Sequence, residues 1–180
     1  MGHVAALAVA LLAIASVGLS TLITGVPPTP TSPAVRRSLL ALVPAGLSGT
    51  VVDMGSGFGG LARALARHCP AATVVGYERS PLPWLVSRLW QALWPLPNLQ
   101  LCRADFRTAP LEGARLAVCY LGRPAMAALA PCFAARLGPG ALVLCHTFAL
   151  PGWRPVATAT AGDLYRSSLF LYRLPDSLPG

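Results

Sequence analysis

The run Val51-Val52-Asp53-Met54-Gly55-Ser56-Gly57-Phe58-Gly59-Gly60 places a carboxylate at the end of an apolar stretch and follows it with a glycine-rich turn. Glycine in such a turn takes up positive φ and lets the backbone approach a ligand with no Cβ in the way. The spacing alone is ambiguous, because Gly55, Gly57 and Gly60 also fit GxGxxG, the dinucleotide fingerprint. Asp53 shifts the balance. Two residues ahead of the first glycine, it can accept hydrogen bonds from the cationic amino end of S-adenosylmethionine (SAM), directly or through water, whereas it would repel a diphosphate. Glu78 suits ribose hydroxyls with either cofactor, and Asp105 stands near where an adenine amino group would be read. The chain has only six carboxylates. Three of them at the ends of successive strands converge on the crevice where open α/β sheets bind ligands, although a cap or a surface position is the competing reading for each, most of all for Asp105.

These side chains need a scaffold that brings strand ends together, and the chain alternates short apolar runs with longer helical patterns, as a parallel sheet covered on both faces requires. Strands are expected at residues 50–54, 73–78, 99–103, 115–121 and 141–146, and helices at 34–42, 60–69, 83–94 and 124–137. Residues 154–160 and 167–174 lie too close for a crossover helix and are expected to pair as an antiparallel hairpin at the sheet edge. In the helix at 83–94, Trp84, Trp90 and Trp94 are expected to pack in the core, with a membrane interface as the less favoured alternative.

The chain of 180 residues holds one domain and an appendage. It is 54% hydrophobic and 11% charged, with a mean hydropathy of +0.60, too apolar for an ordinary soluble domain. Residues 4–24 carry no charge, and a helix of that length spans the roughly 30 Å hydrocarbon core. The expected organisation is a transmembrane anchor at 1–25, a proline-rich linker at 26–35 and the catalytic domain at 36–180. A cleaved signal peptide is the weaker alternative, since no basic n-region precedes the apolar run. Arg36 and Arg37 follow it and, by the positive-inside rule, hold the domain on the cytoplasmic or equivalent side. All fourteen basic residues are Arg, scattered without a block, so the net charge of +8 does not by itself point to nucleic acid. No CxxC pair occurs among the five cysteines, and the three histidines lack metal-ligand spacing, so neither a disulfide framework nor a metal site is expected.

The DxGSGxG turn followed by Gly76-Tyr77-Glu78-Arg79-Ser80-Pro81 resembles class I SAM-dependent methyltransferases. Within them it is similar to the small membrane-anchored protein-lysine methyltransferases that modify the adenine nucleotide translocase and the ATP synthase c subunit. The likeness runs over residues 36–174 and includes the strand at 118–121, the turn Phe148-Ala149-Leu150-Pro151-Gly152-Trp153 and the end Leu169-Phe170-Leu171-Tyr172. It implies a Rossmann-like SAM-methyltransferase fold of the α/β class, mainly parallel with an antiparallel C-terminal hairpin and preceded by one transmembrane helix. It implies that Asp53, Gly55, Ser56, Gly57 and Gly59 hold the methionine part of SAM, and Glu78, with Arg79 beside it, the ribose. Asp105 and Phe106 then serve the adenine side. Phe58 stands where many relatives carry an acid. Cys119-Tyr120-Leu121-Gly122 replaces the Asn/Asp-Pro-Pro-Tyr of amino-methylating nucleic acid enzymes, so adenine or glutamine N-methylation is unsupported, and the resemblance implies a lysine of a membrane protein as acceptor.

Methyl transfer from a sulfonium needs alignment of a neutral nucleophile and exclusion of water, with no covalent enzyme intermediate. Tyr120 is a candidate to orient an amine, with a buried structural role as the favoured reading, and no general base is assigned. A methyltransferase acting on a small molecule or lipid, a noncatalytic membrane scaffold and an NAD-linked reductase are the rival readings. The last lacks a second domain.

Overall fold

The computed structural model describes residues 30–179, together with Leu7 and Gly18. The expected anchor at 1–25 otherwise lies outside the described residues, as does most of the linker; among the described residues no helix is long and apolar enough to cross a membrane. Helix α1, Pro33–Leu40, starts inside the stretch expected to be linker, because Ser32 accepts a hydrogen bond from the Val35 N–H (3.3 Å) and Pro33 occupies the first turn, where a missing N–H costs nothing.

The other elements alternate: β1 Gly49–Met54, α2 Gly60–His68, β2 Ala72–Glu78, α3 Pro81–Leu93, β3 Leu99–Arg103, β4 Ala114–Cys119, α4 Arg123–Arg136, β5 Leu142–His146, β6 Ala157–Thr160 and β7 Ser168–Arg173. They build one seven-stranded sheet in the order β3-β2-β1-β4-β5-β7-β6. The first five strands run parallel, and the β6–β7 hairpin adds antiparallel to β5. Strand β4 stops two residues short of the sequence expectation. Its ladder partner β1 ends at the Met54–Cys119 pair, so Tyr120 and Leu121 leave the sheet with the glycine turn opposite.

Alternation along each strand divides the core between the two faces. Val51, Leu116, Val118, Leu142 and Leu144 pack under α1 and α2, against Leu39, Leu61 and Leu65. Val52, Met54, Ala117, Cys119 and Val143 pack under α4, against Met126, Leu129 and Phe133. Three of the five cysteines, Cys69, Cys119 and Cys145, are buried in these cores, and all five are free thiols.

Helix α3 departs from expectation. Only Pro83 and Ser87 are buried on it, Trp84 is half-buried with its indole donating to the Leu101 carbonyl (3.2 Å), and Trp90 and Trp94 are 50% and 62% exposed. The glycine turn sets this rotation. A Cβ on Gly59 would meet the Ser87 Cβ at 3.0 Å, so the helix can approach only with a small residue inward, and the tryptophans at 90 and 94 then fall outward.

Asn98, before β3, sends its amide to the carbonyls of Ala66, Cys69 and Ala72 at 2.9–3.1 Å and so closes the end of α2 onto the start of β2. Asn98→Ala leaves those carbonyls short of a donor and is expected to lower unfolding free energy by about 1–3 kcal/mol, read from the shift of a denaturant midpoint at constant slope.

Candidate active site

The sheet order reverses between β1 and β4, since the chain leaves β1 towards β2 and returns on its other side with β4. Beyond the carboxyl ends of strands at such a point lies the crevice open α/β sheets use for ligands. Here it holds a cleft of about 840 Å³. Asp53, Gly55, Ser56, Gly57, Glu78, Arg79, Asp105, Phe106 and Tyr120 all line it, so nine of the ten residues expected from sequence meet in one place. The tenth, Gly59, lies beneath the turn, buried against Ser87.

The turn is pinned to β2. Both Gly55 and Ser56 donate their N–H to the Tyr77 carbonyl at 2.9 Å, and Gly59 donates to the Ser56 carbonyl at 2.8 Å. Gly55 has φ +83°, a conformation that favours glycine, and a Cβ there would stand 2.8 Å from the end of the Leu121 side chain, which would have to shift. Glu78 closes the turn from the other side, one oxygen accepting from the Gly57 N–H (2.8 Å) and the other from the Ser80 N–H (2.6 Å). Each of its oxygens keeps a lone pair for a hydroxyl.

Asp53 is 2% exposed, and among the described residues its Oδ2 has no hydrogen-bond partner; the Ser56 hydroxyl beside it is likewise buried and unpaired among them. Burial first, then the Glu78 carboxylate, pushes Asp53 up to about 7, against a backbone hydrogen bond from Ala62 in the first turn of α2 that pulls it down. Two orphaned polar atoms under a glycine turn fit a ligand carrying a cationic ammonium group, which would supply the missing donors.

Asp105 is differently employed. It caps the single 3-10 turn Phe106–Thr108, accepting from the Arg107 N–H (3.0 Å), and forms ion pairs with Arg107 (3.2 Å) and Arg79 (3.3 Å). Burial raises its pKa, but the Arg107 hydrogen bonds and the charges of Arg107 and Arg79 outweigh that and leave the carboxyl below its ordinary value. The capping alternative is thus realised, with Asp105 still at the cleft wall and Phe106 next to it. Arg79 meets the site through Asp105.

Sequence reasoning missed three residues. Arg36, on α1, lines the cleft with its guanidinium 3.3 Å from where a Cβ on Gly60 would stand. Phe148 enters because Thr147 adopts φ +69°, turning the chain at the end of β5, and the turn after it is fixed by the Leu150 N–H donating to the Tyr172 hydroxyl (3.0 Å). His146, at the end of β5, is 4% exposed with neither ring nitrogen partnered among the described residues, and its ring lies 4.1 Å from that of Tyr120. Burial lowers its pKa and the Asp163 charge offsets part of that, so the imidazole is neutral at neutral pH. Only the Phe148–Trp153 motif gave a signal for any of the three.

Comparison with known proteins decides what this cleft belongs to. Residues 53–157, more than half of the chain, match the family described as the ANTKMT methyltransferase domain. The chain belongs to that family. As an ANTKMT-domain protein it is a SAM-dependent methyltransferase, with SAM as its cofactor. It is similar to the solved structure of an RNA methyltransferase from Salinibacter ruber in complex with S-adenosyl-L-homocysteine, with a TM-score of 0.73 and 25% identity over 84% of this chain and 97% of that one. The putative methyltransferase yhhF from Escherichia coli shares the fold at a TM-score of 0.67 and 17% identity, over 83% of this chain and 89% of that one. Ribosomal RNA small subunit methyltransferase A of Chlorobium luteolum is 33% identical over 78 residues, 43% of the ANTKMT-domain chain. The chain spans about a quarter of that relative's length, 26%.

The Asp53 pKa is raised on folding, so its contribution to stability is complete below the ordinary carboxylate value of 3.8 and is lost as pH rises through about 7. Asp53→Asn is therefore expected to stabilise the ligand-free protein by about 2–4 kcal/mol near pH 8 and by little near pH 4, as urea denaturation at the two pH values will show.

Proposed function

We propose that this methyltransferase N-methylates a lysine of a membrane-associated protein, from a domain held by residues 4–24 on the cytoplasmic or equivalent side of a membrane. The observation that carries the reading is the cleft wall beyond the glycine turn, made of Tyr120, Leu121, Pro124, Ala125 and Phe148. It is aromatic and aliphatic, and among the described residues no Asn or Gln side chain lines the cleft to grip an exocyclic amine. Such a wall suits a lysine's methylene stem, disfavours its charged form by desolvation and offers ring faces to the alkylated product cation.

Within that reading Asp53 and Ser56 would hold the ammonium end of the cofactor at the turn of Gly55 and Gly57, Glu78 would take its ribose hydroxyls, and Phe106 would serve its adenine. Asp105 presents the adenine side, held by Arg79 and Arg107. SAM, when bound, would supply a methyl group on a sulfonium, whose S–C bond breaks to leave a neutral thioether as the amine's N–C bond forms. Tyr120 orients the amine, and the neutral His146 ring behind it fixes the tyrosine's position. The apolar wall excludes water from the transfer.

Two outcomes test this. A cationic ammonium displaces the Asp53 proton, so SAM affinity is expected to be full above about pH 7 and to fall by up to about tenfold per unit below it, with proton release near neutrality in calorimetry across buffers of different ionisation enthalpy. An affinity flat with pH would remove Asp53 from the cofactor. With labelled SAM and isolated membranes, the label is expected on lysine side chains; label on RNA or lipid alone rejects the acceptor. Tyr120→Ala is expected to lower kcat about tenfold or more with SAM affinity unchanged, while Tyr120→Phe retains most activity.

A further inference from the structure

Helix α3 is amphipathic in the wrong sense for a domain surrounded by water. A covering helix ordinarily turns its polar side outward, yet here the inward positions are Pro83 and Ser87 while Leu85, Leu89 and Leu93 recur every four residues on the outside, each more than half exposed. Trp90 and Trp94 flank the same stripe, edge to face with ring centroids 6.4 Å apart. Arg88 is the helix's one charged residue and is exposed one turn from Leu85. A contiguous apolar patch rimmed by tryptophan and a cation is the composition of a surface that meets lipid at the headgroup level.

The chain's own connectivity selects the occupant. Pro30 and Thr31 line the cleft together with Val86 and Trp90 of α3, so the polypeptide enters the domain beside this helix. The six residue steps from Thr24, the end of the apolar run, to Pro30 reach at most about 20 Å, whatever conformation they take. An apolar segment inserted in a bilayer therefore keeps the α3 stripe within a short distance of the same lipid surface. Arg36 and Arg37, on the helix that follows, and the net charge of +8 complement anionic headgroups.

We infer that the outer face of α3 is a second membrane contact, lying in the headgroup region of an anionic bilayer and turning the mouth of the cleft towards that surface. The inference rests on the anchored reading of residues 4–24. One anchor alone leaves the domain free to tumble at the end of its linker. Two contacts fix its orientation, so that an acceptor lysine close to the bilayer surface is presented to the wall formed by Tyr120 and Phe148.

The test uses the full chain reconstituted into vesicles of phosphatidylcholine and phosphatidylglycerol whose acyl chains carry bromine, a quencher of tryptophan emission. Flotation with the vesicles reports the anchor, and quenching reports α3. Wild-type protein is expected to float and to be quenched. Most of that quenching is expected to disappear in Trp90→Phe/Trp94→Phe, because Trp84 is tied to the Leu101 carbonyl and Trp153 is buried. A second variant, Leu85→Ser/Leu89→Ser/Leu93→Ser, touches no cleft residue; it is expected to float, to bind SAM as the wild type does and to lose the quenching. Protein that floats without quenching overturns the α3 contact and leaves the anchor standing, with the face then covered by residues 4–24 or by a second copy. A disulfide-linked dimer of Leu89→Cys in the vesicles identifies the second copy. Protein that fails to float overturns the anchor, and this inference with it.

Discussion

A carboxylate that is buried and short of a partner sets the terms for the whole molecule. Asp53 sits near the carboxyl end of β1, the middle one of the five parallel strands, and among the described residues its Oδ2 meets no donor. An isolated charge of this kind is expensive to hold in a protein interior, so the free protein holds Asp53 near its protonation midpoint at neutral pH. The cost is local, whereas the return is selectivity. A cationic ligand that fills the gap gains a charge-assisted hydrogen bond in a site already cleared of water, and a diphosphate gains only repulsion.

The surrounding parts exist to keep that gap open. Gly55 and Ser56 hang from the Tyr77 carbonyl, Glu78 holds the far limb of the turn through the Gly57 N–H, and Ser87 on α3 stands hard against Gly59. Packing α3 so closely on the turn forces its large side chains outward. The same contact that shapes the cofactor cleft thus creates the exposed Leu and Trp stripe, and cleft and stripe share Trp90 at their border.

On the other side of the switch point the cleft changes character. The acceptor wall comes from the ends of β4 and β5, where Tyr120 rests on a buried His146 and the left-handed Thr147 swings Phe148 into place. One half of the cleft is polar and pinned by backbone hydrogen bonds, the other aromatic and apolar. That division matches a reaction in which a charged cofactor is gripped and the methyl acceptor is only aligned.

The strand and helix periodicities, the glycine turn and the three carboxylates at strand ends, half of the six in the chain, were written in local sequence, because each depends on near neighbours: alternation within a strand, φ within a turn, an acid at the close of an apolar run. The terminal hairpin followed from a connection too short for a crossover helix, the parallel sheet from the alternation of strands and helices, and the Rossmann-like fold from the resemblance. What local sequence could not decide was rotation and distance. Trp90 and Trp94 have the composition of core residues, and only the approach of α3 to Gly59 turned them outward. Asp105 was placed at the cleft, but its engagement by Arg79 and Arg107 depended on where two surface arginines fall in space. Arg36 and His146 carried no motif, and they reached the site through the packing of α1 and the end of β5. Chemistry confined to one turn is legible along the chain; chemistry assembled from separate elements is fixed only when the sheet closes and side-chain directions are set by what each helix can pack against.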